Sequence, residues 1–241
     1  MLGGVFCAKK GKKNMDTAEK LREMLKINGV YDVGFAKTED GPEGMPFSMS
    51  IIIPLSDAVV DEIGPAPTHT YFHHYRTVNA MIDRLLLMAG MLLQHEGWRY
   101  IPVAASQTIN VGEGRQHCGR YSHKKAAVLA GLGTIGKSAL FIHPVYGPRV
   151  RLGTLFTDCP LSEEAKTASC ACGDCNLCVA ACPAHAITGA EWRPGIPRCE
   201  LLDADACNSY MRGHFMKIGR GAVCGICMKV CRMRGGVSAA K

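Results

Sequence analysis

The sequence predicts a mixed α/β protein with two domains, and two of its features lead to this expectation. Segments with the apolar periodicity of helices and of strands alternate over the first 165 residues, and eight closely spaced cysteines follow them. A chain of 241 residues with 47% hydrophobic content is also long enough to bury a substantial core. We expect a disordered tail over residues 1–14, an α/β domain over residues 15–165 and a cysteine-rich domain over residues 166–241.

The first helix and the first two strands have clear sequence signals. Asp16 and Glu19 form a capping box, and Gly29 ends the helical pattern that follows. A short strand is expected over residues 31–36, and a buried strand over the apolar, β-branched run 49–55. The α/β domain is therefore predicted to begin with a helix and two strands.

The longest helical pattern covers residues 75–96, where apolar residues recur on one face of the helix. A Pro-rich surface loop is expected before it, at residues 64–70, and a polar, Gly-containing loop long enough to carry function at residues 107–119. The remaining predicted elements are strands over 98–104, 139–143 and 149–157, and a short helix over 122–130 that is capped by Ser122.

The cysteines of the last third follow the spacing of a bacterial two-cluster ferredoxin. One run has the pattern C-x2-C-x2-C-x3-C-P, a second has C-x2-C-x3-C, and a single cysteine lies between them. In such runs three thiolates hold one cluster and the fourth reaches the other cluster. Two [4Fe–4S] clusters are therefore predicted, one on Cys172, Cys175, Cys178 and Cys231, and the other on Cys182, Cys207, Cys224 and Cys227.

Two other uses of these cysteines are less compatible with the pattern. Zinc favours two separated C-x2-C pairs, and a third cysteine two residues further on has no place in a single zinc site. A disulfide framework needs an oxidising compartment, and no secretory signal is present. The second cysteine run departs from the ferredoxin pattern at one position, because Arg232 follows Cys231 where ferredoxin-like runs usually have Pro. The cysteines not expected to be ligands are Cys118, Cys159, Cys170 and Cys199.

Charge and hydropathy exclude several classes of function. The formal net charge is +7, and thiolate-bound clusters would offset much of it, so nucleic-acid binding is not indicated. No apolar run reaches the roughly 18 residues of a membrane span. Residues 1–13 show no export or lipid-attachment signal. We expect a cytoplasmic protein without membrane contact, whose translation starts at Met1 or at Met15.

Residues 131–138, Gly-Leu-Gly-Thr-Ile-Gly-Lys-Ser, match a phosphate loop and a dinucleotide-binding turn at the same time. Both motifs require a strand before the glycines and a helix of several turns after them. Here the preceding segment is alanine-rich and predicted to be helical, and Pro144 follows after a few residues. A P-loop iron–sulfur ATPase that binds phosphate through Lys137 is therefore kept only as an alternative.

The same block belongs to a longer pattern. Residues 130–139 are followed by His143-Pro144, by Tyr146-Gly147-Pro148-Arg149, by Thr157-Asp158 and then by the cysteine runs. This combination resembles the signature shared by epoxyqueuosine reductases and corrinoid reductive dehalogenases. Residues 31–36, Tyr-Asp-Val-Gly-Phe-Ala, are also similar to the first strand of epoxyqueuosine reductases.

The resemblance implies a nitroreductase-like domain that binds cobalamin beside the two clusters. Glycines fit this role, because only Gly lets the backbone approach a flat macrocycle without a Cβ clash. Electrons from a ferredoxin or flavodoxin would pass through both clusters to cobalt and drive a reductive reaction. The cofactor-binding residues implied by the motif are Gly131, Gly133, Gly136, Lys137, His143, Tyr146, Gly147 and Arg149.

The chain also departs from both families. Residues 103–106, Val-Ala-Ala-Ser, lack the aspartate that epoxyqueuosine reductases use there as proton donor. The chain ends at Lys241 without their helical-repeat extension, so a tRNA partner is not expected, and the twin-arginine signal of respiratory dehalogenases is missing. An unknown small molecule is the expected substrate.

The candidate proton donors are Tyr121 and Tyr75. Dehalogenase-type sites pair a tyrosine with a cation, which favours Tyr121 because Arg120 precedes it. His73, His74 and His117 are weaker candidates in predicted loops. A further alternative is an electron-transfer or reductive-activator protein without its own corrinoid.

Overall fold

The computed structural model describes residues 16–109, 117–161, 172–219 and 223–233. The predicted tail, both candidate start methionines and Cys170 lie outside the described residues.

A four-stranded sheet forms the centre of the molecule. Its order is β1-β2-β6-β3, and every neighbouring pair is antiparallel. β2 and β6 pair over eight residues, from Phe47 opposite Thr157 to Pro54 opposite Val150. The strands are β1 (Asp32–Lys37), β2 (Phe47–Pro54), β3 (Tyr100–Val103), β4 (Thr134–Ile135), β5 (Phe141–Ile142) and β6 (Val150–Thr157). The predicted mixed fold is confirmed, with an antiparallel main sheet.

The helices lie on both faces of this sheet. Ile51 and Ile53 of β2 point into the core that contains α1 and α3, whereas Ile52 points into a second core beside α4. This alternation is the period of two that an extended strand imposes. It explains why β2 is apolar throughout. The helices are α1 (Thr17–Ile27), α2 (Asp57–Asp61), α3 (His69–His95), α4 (His123–Leu129), α5 (Leu177–Ala180), α6 (Ala204–His214) and α7 (Ile226–Lys229).

The helix starts follow from capping side chains. Asp16 accepts a hydrogen bond from the Ala18 amide and begins α1, and Ser122 accepts one from the Lys125 amide and begins α4. Thr68 caps α3 through the Tyr71 amide, so α3 begins at His69, and the predicted start at residue 75 is wrong. None of the helices in the described ranges has the length and apolar character of a membrane-crossing segment.

The cysteine-rich region packs against the sheet domain. Phe215, Ile226 and Met228 belong to the same apolar core as α1 and α3. Lys229 at the end of α7 donates 2.7 Å hydrogen bonds to the carbonyls of Asp61 and Ile63. The two predicted domains therefore share a core, and their division at residue 165 stays a prediction.

Candidate functional site

The eight predicted ligand cysteines lie close together at α5, α6 and α7. Cys182, Ala186 and Ile187 form a small apolar cluster, against which Cys178, Cys207 and Cys227 pack. The Ala186 amide donates to the Cys182 sulfur over 3.4 Å. We call Cys172, Cys175, Cys178 and Cys231 the outer cysteine set, and Cys182, Cys207, Cys224 and Cys227 the inner cysteine set.

The thiols that influence each other's pKa come from both cysteine runs, and the crossed assignment of ligands stays a prediction. Burial raises the pKa of Cys231, and the nearby thiols of Cys178 and Cys175 add to this shift. Burial raises the pKa of Cys207 to about 11, and Cys224 and Cys182 contribute next. Cys231 thus lies beside the first run, and Cys182 beside the second.

The donor set fits clusters rather than isolated thiols. Burial, followed by the neighbouring thiols, raises the pKa of Cys227 to about 12. A thiolate there needs a cation in place of its proton, which iron supplies. In the described residues no three His, Cys, Asp or Glu side chains converge on a single ion. A four-iron cluster does not require such convergence, since each thiolate binds a different iron.

The two cysteine sets differ in their access to solvent. Cys175 of the outer set is exposed, and nothing lies within 4 Å of a Cβ built on the adjacent Gly173 loop. Next to Cys227 of the inner set, Met228 forms part of a cavity wall. The outer set therefore contains the exposed cysteine, and the inner set contains the buried one, Cys182, and is adjacent in sequence to a residue of the cavity wall.

The cavity has a volume of about 1510 Å³ and lies between β3, α4, β6 and the cysteine-rich region. This exceeds the roughly 300–1,000 Å³ of ordinary small-molecule sites. Val128, Leu140 and Phe141 give it apolar walls, and Trp192 lines it from the cysteine-rich side. The cavity has room for a large planar cofactor, and its size and apolar walls fit a corrin.

Tyr75 and Arg151 form the polar centre of one cavity wall. The Arg151 guanidinium carbon lies 4.4 Å from the centre of the Tyr75 ring, and Nη2 donates to the Tyr75 hydroxyl over 3.3 Å. Nε of Arg151 donates to Asn79 over 2.8 Å, which fixes the guanidinium. Burial would raise the pKa of Tyr75, but the Arg151 charge and hydrogen bonds from Ser106, Asn79 and Arg151 lower it below the ordinary value. The phenolate form of Tyr75 is thus stabilised.

Tyr121 also lines the cavity, in a different electrostatic setting. Its hydroxyl donates to Asp40 over 2.8 Å, and Lys125 pairs with the same carboxylate. Burial, and then Asp40, raise the pKa of Tyr121 well above its ordinary value. Arg120 is exposed, and the cation over the Tyr121 ring is Lys125, at 5.8 Å from the ring centre. The tyrosine with a close cationic partner is therefore Tyr75.

Sequence reasoning missed three polar residues of the cavity wall. His123 lies between Thr154 Oγ1, at 2.8 Å, and the Ala104 carbonyl, at 3.0 Å. Lys124 donates to the Ala139 carbonyl over 2.6 Å, and burial, then Arg198, lower its pKa to about 8. Arg151 is the third. The sequence carried a signal for Arg151, because it is the one charged residue of β6.

The predicted cofactor-binding residues of the glycine-rich block do not line the cavity. A Cβ on Gly133 would lie 2.3 Å from the Ile142 carbonyl oxygen, so this glycine is required by the packing of β4 on β5. A Cβ on Gly136 would lie 3.2 Å from the Cys172 sulfur. Lys137 is 6% exposed and donates to the Gly173 carbonyl over 2.6 Å. Since α4 precedes the block, β4 lies within it and β5 follows it, the block does not have the strand before and helix after that a phosphate loop requires.

The remaining predicted cofactor residues have partners within the chain. His143 Nδ1 accepts from the amides of Val145 and Tyr146, and Gly147 pairs with His143 through the backbone. Arg149 is buried and bonds Asp57 and Asp61 at 2.6 and 2.7 Å. These contacts stabilise the fold around the site. Cofactor binding by Gly131, Gly133, Gly136, Lys137, His143, Tyr146, Gly147 and Arg149 stays a prediction, and none of them is on the cavity wall.

The structure also gives the positions of the three histidines considered as proton donors and of two cysteines not expected to be ligands. His73 and His74 lie in α3 and not in a loop, and His74 accepts from the Ser56 amide. His117 lines the cavity and lies 2.8 Å from Asp205. Cys159 is buried in the main core, where burial raises its pKa to about 11, and Cys199 is exposed.

The cysteine-rich region matches a known family. Residues 171–234 match the family described as a 4Fe-4S double cluster binding domain. The match contains every cysteine of the outer and inner sets.

Two curated relatives represent two groups of reductases. The chain is 42% identical over 115 residues to the epoxyqueuosine reductase of Listeria monocytogenes, a match that covers 48% of this chain and 27% of that protein. It is 31% identical over 121 residues to the tetrachloroethene reductive dehalogenase of Dehalobacter restrictus, covering 44% of this chain and 21% of that protein. The matched segments thus span about a quarter of these relatives.

Solved structures from both groups share the fold. A reductive dehalogenase, described with a mechanism for B12-dependent dehalogenation, aligns with a TM-score of 0.70 at 18% identity over 96% of this chain and 34% of that chain. An epoxyqueuosine reductase with a modified tRNA stem loop aligns with a TM-score of 0.57 at 21% identity over 90% and 65% of the two chains. In sequence and fold the chain therefore resembles both epoxyqueuosine reductases and reductive dehalogenases, and residues 171–234 are its 4Fe–4S double cluster binding domain.

Proposed function

We propose that this protein is a cobalamin-dependent iron–sulfur oxidoreductase that reduces a small organic substrate in the cavity. The observation that carries the proposal is the position of the cavity. Its wall contains Met228, next to the inner cysteine set, and also the Tyr75–Arg151 pair. An electron source and a proton source therefore border one chamber.

Electrons enter at the outer cysteine set. Its exposed member Cys175 offers an electron donor a short path, whereas the inner set has no exposed member and its Cys182 is buried. A cytoplasmic ferredoxin or flavodoxin is a suitable one-electron donor. The inner set then passes electrons to the chamber, so the two sets act in series.

Cobalamin, when bound, supplies a metal centre that takes up single electrons and transfers them to the substrate. The chain contributes a chamber of sufficient volume whose walls are partly apolar. The B12-dependent dehalogenase with the same fold supports this assignment.

Tyr75 is the proposed proton donor. Tyr75 lines the cavity, and Arg151 stabilises the phenolate that remains after the proton has left. Tyr121 is less suited, because Asp40 accepts its proton in a hydrogen bond and opposes formation of a phenolate. Tyr75 would thus fill the role that the absent aspartate at residues 103–106 has in epoxyqueuosine reductases.

Binding of cob(II)alamin to the anaerobically prepared protein, followed by electron paramagnetic resonance, tests the proposal. Ser106 lines the cavity, with its Oγ 3.5 Å from the Tyr75 hydroxyl, so Ser106→Trp should block the chamber. Ser209→Trp, on the exposed face of α6, is the matched control. We expect wild type and the control to bind with a Kd on the order of 10 µM, about 7 kcal/mol, and Ser106→Trp to bind at least tenfold more weakly.

Two outcomes would contradict this assignment. If wild type did not bind cob(II)alamin, the proposed cofactor would be wrong, and the protein would instead be an electron-transfer or reductive-activator protein. Equal weakening by both tryptophans would place the cofactor elsewhere. Gly133→Val is unsuitable as a test, because its side chain would clash with the Ile142 carbonyl and disturb the fold. A parallel titration with a modified tRNA stem loop distinguishes a small-molecule substrate from the tRNA substrate seen with one structural relative.

A further inference from the structure

Lys137 is a buried cation next to the outer cysteine set. Its side chain is only 6% exposed, and Nζ donates to the Gly173 carbonyl over 2.6 Å and to Asn176 Oδ1 over 3.2 Å. Both acceptors are neutral, and both belong to the loop that carries Cys172 and Cys175. Within the described ranges, no carboxylate is bonded to this ammonium group.

The backbone before Lys137 also contacts this loop. The Lys137 amide nitrogen lies 3.5 Å from the Cys172 sulfur and donates to it. A Cβ on Gly136 would lie 3.2 Å from the same sulfur, a tighter contact than most Cβ atoms make, so glycine leaves room for this approach. The end of the glycine-rich block thus presents one amide donor and one full positive charge to the outer set.

A buried charge is costly unless an opposite charge compensates for it. Two neutral acceptors give Lys137 only part of that compensation. Four thiolates around an iron–sulfur cluster provide a net negative charge in the same place, so the lysine and the cluster stabilise each other. Adding an electron makes the cluster more negative, and a nearby cation therefore favours the reduced form.

We propose that Lys137 raises the reduction potential of the cluster held by the outer cysteine set and so sets the ease with which electrons enter the protein. In this step one electron moves from an external one-electron donor to the cluster, the donor is oxidised by one electron, and no proton is transferred. The inference rests on the clusters of the proposed function and does not require cobalamin.

Three substitutions separate the charge of Lys137 from its hydrogen bonds. Lys137→Gln retains a donor for Gly173 without the charge, Lys137→Met removes both, and Lys137→Arg retains both. Each variant is reconstituted anaerobically, its iron is counted, and both clusters are titrated with dithionite at controlled potential and followed by electron paramagnetic resonance. The inner cluster is the internal control.

We expect Lys137→Gln and Lys137→Met to make the outer cluster about tenfold harder to reduce, which corresponds to about 59 mV toward negative potentials for one electron. Lys137→Arg should stay close to wild type, and the inner cluster should change little. Unchanged outer potentials in the charge-removing variants, at full iron content, would overturn the proposal. Loss of the outer cluster from both of them, with retention in Lys137→Arg, would overturn it as well, because the charge would then hold the cluster and not tune it. An iron content near four in wild type would instead contradict the clusters themselves.

Discussion

The guanidinium of Arg151 lies over the ring of Tyr75, with its central carbon 4.4 Å from the ring centre and Nη2 3.3 Å from the hydroxyl. The two residues come from β6 and α3, and they meet because α3 packs across the sheet at Gly153. A Cβ at that glycine would lie 2.7 Å from Ile82. This close packing lets one strand supply the cation for a tyrosine of the long helix.

Tyr75 should titrate below the ordinary tyrosine value. Burial alone raises its pKa, and the charge and hydrogen bonds of Arg151, Asn79 and Ser106 outweigh burial. In Arg151→Gln the charge is lost and burial remains, so the pKa of Tyr75 should rise above that of wild type. NMR of isotope-labelled tyrosine, assigned with Tyr75→Phe, measures this shift.

The exposed Arg84 of α3 provides the control, because Arg84→Gln should leave the Tyr75 titration unchanged. A reaction that needs protonated Tyr75 should also slow as the pH rises through its pKa, and this limb should move to higher pH in Arg151→Gln. An identical Tyr75 titration in both arginine variants would show that Arg151 does not control the phenol.

Crossed ligation predicts which cluster each cysteine supports. Cys182→Ser should damage the cluster of the inner set, although Cys182 belongs to the first cysteine run in sequence. Cys231→Ser should damage the cluster of the outer set. Wild type should hold roughly eight irons and each variant about four, as measured by iron analysis and electron paramagnetic resonance.

Cys199→Ser, at an exposed position, is the matched control and should retain full iron content. If Cys182→Ser removed the cluster of Cys172, Cys175 and Cys178 instead, the crossed assignment would be wrong. A zinc content of one or two per chain in wild type would contradict both clusters.

Arg149 is predicted to act on stability and not on cofactor binding. It is buried between Asp57 and Asp61 and lies off the cavity wall. Arg149→Met removes two charge-assisted hydrogen bonds to carboxylates, each of which contributes about 1.5–3 kcal/mol, and a longer one to the Asp57 carbonyl. Because both carboxylates are partly exposed and can be hydrated, we expect a total loss of about 2 kcal/mol in the free energy of unfolding, measured by denaturant titration.

The folded Arg149→Met variant should bind cob(II)alamin as tightly as wild type, and Arg84→Met should be neutral in both assays. If Arg149→Met bound cobalamin more weakly without a loss of stability, Arg149 would be a cofactor-binding residue, as the sequence motif implies.

Features that depend on neighbouring residues could be predicted from the sequence. The caps Asp16 and Ser122 begin α1 and α4 as expected, because capping involves only a few consecutive residues. The cysteine spacing predicted the double cluster domain, since cluster ligation requires closely spaced thiols. Thr68 was missed as the cap of α3 because a Pro-rich loop precedes it and no acidic residue follows in the first turn.

Features that depend on distant partners could not be predicted in the same way. The glycine-rich block has the pattern of a ligand-binding turn, but the atoms that require its glycines are Ile142 O and the sulfur of Cys172. A glycine motif indicates that the backbone approaches another group closely, but it does not distinguish a bound ligand from a neighbouring part of the chain. The Tyr75–Arg151 pair likewise depends on how α3 lies across β6, so sequence adjacency favoured Tyr121 beside Arg120 instead.

The most direct test of the account is the rate at which an external donor reduces protein-bound cobalamin, measured by stopped-flow absorbance under anaerobic conditions. The proposed order is outer cluster, inner cluster, cavity. Wild type and Cys199→Ser should reduce the bound cofactor rapidly. Cys182→Ser, loaded with cobalamin to the same occupancy, should reduce it at least a hundredfold more slowly. If Cys182→Ser reduced bound cobalamin as fast as wild type after losing its inner cluster, electrons would not pass through the inner set, and the account would be wrong.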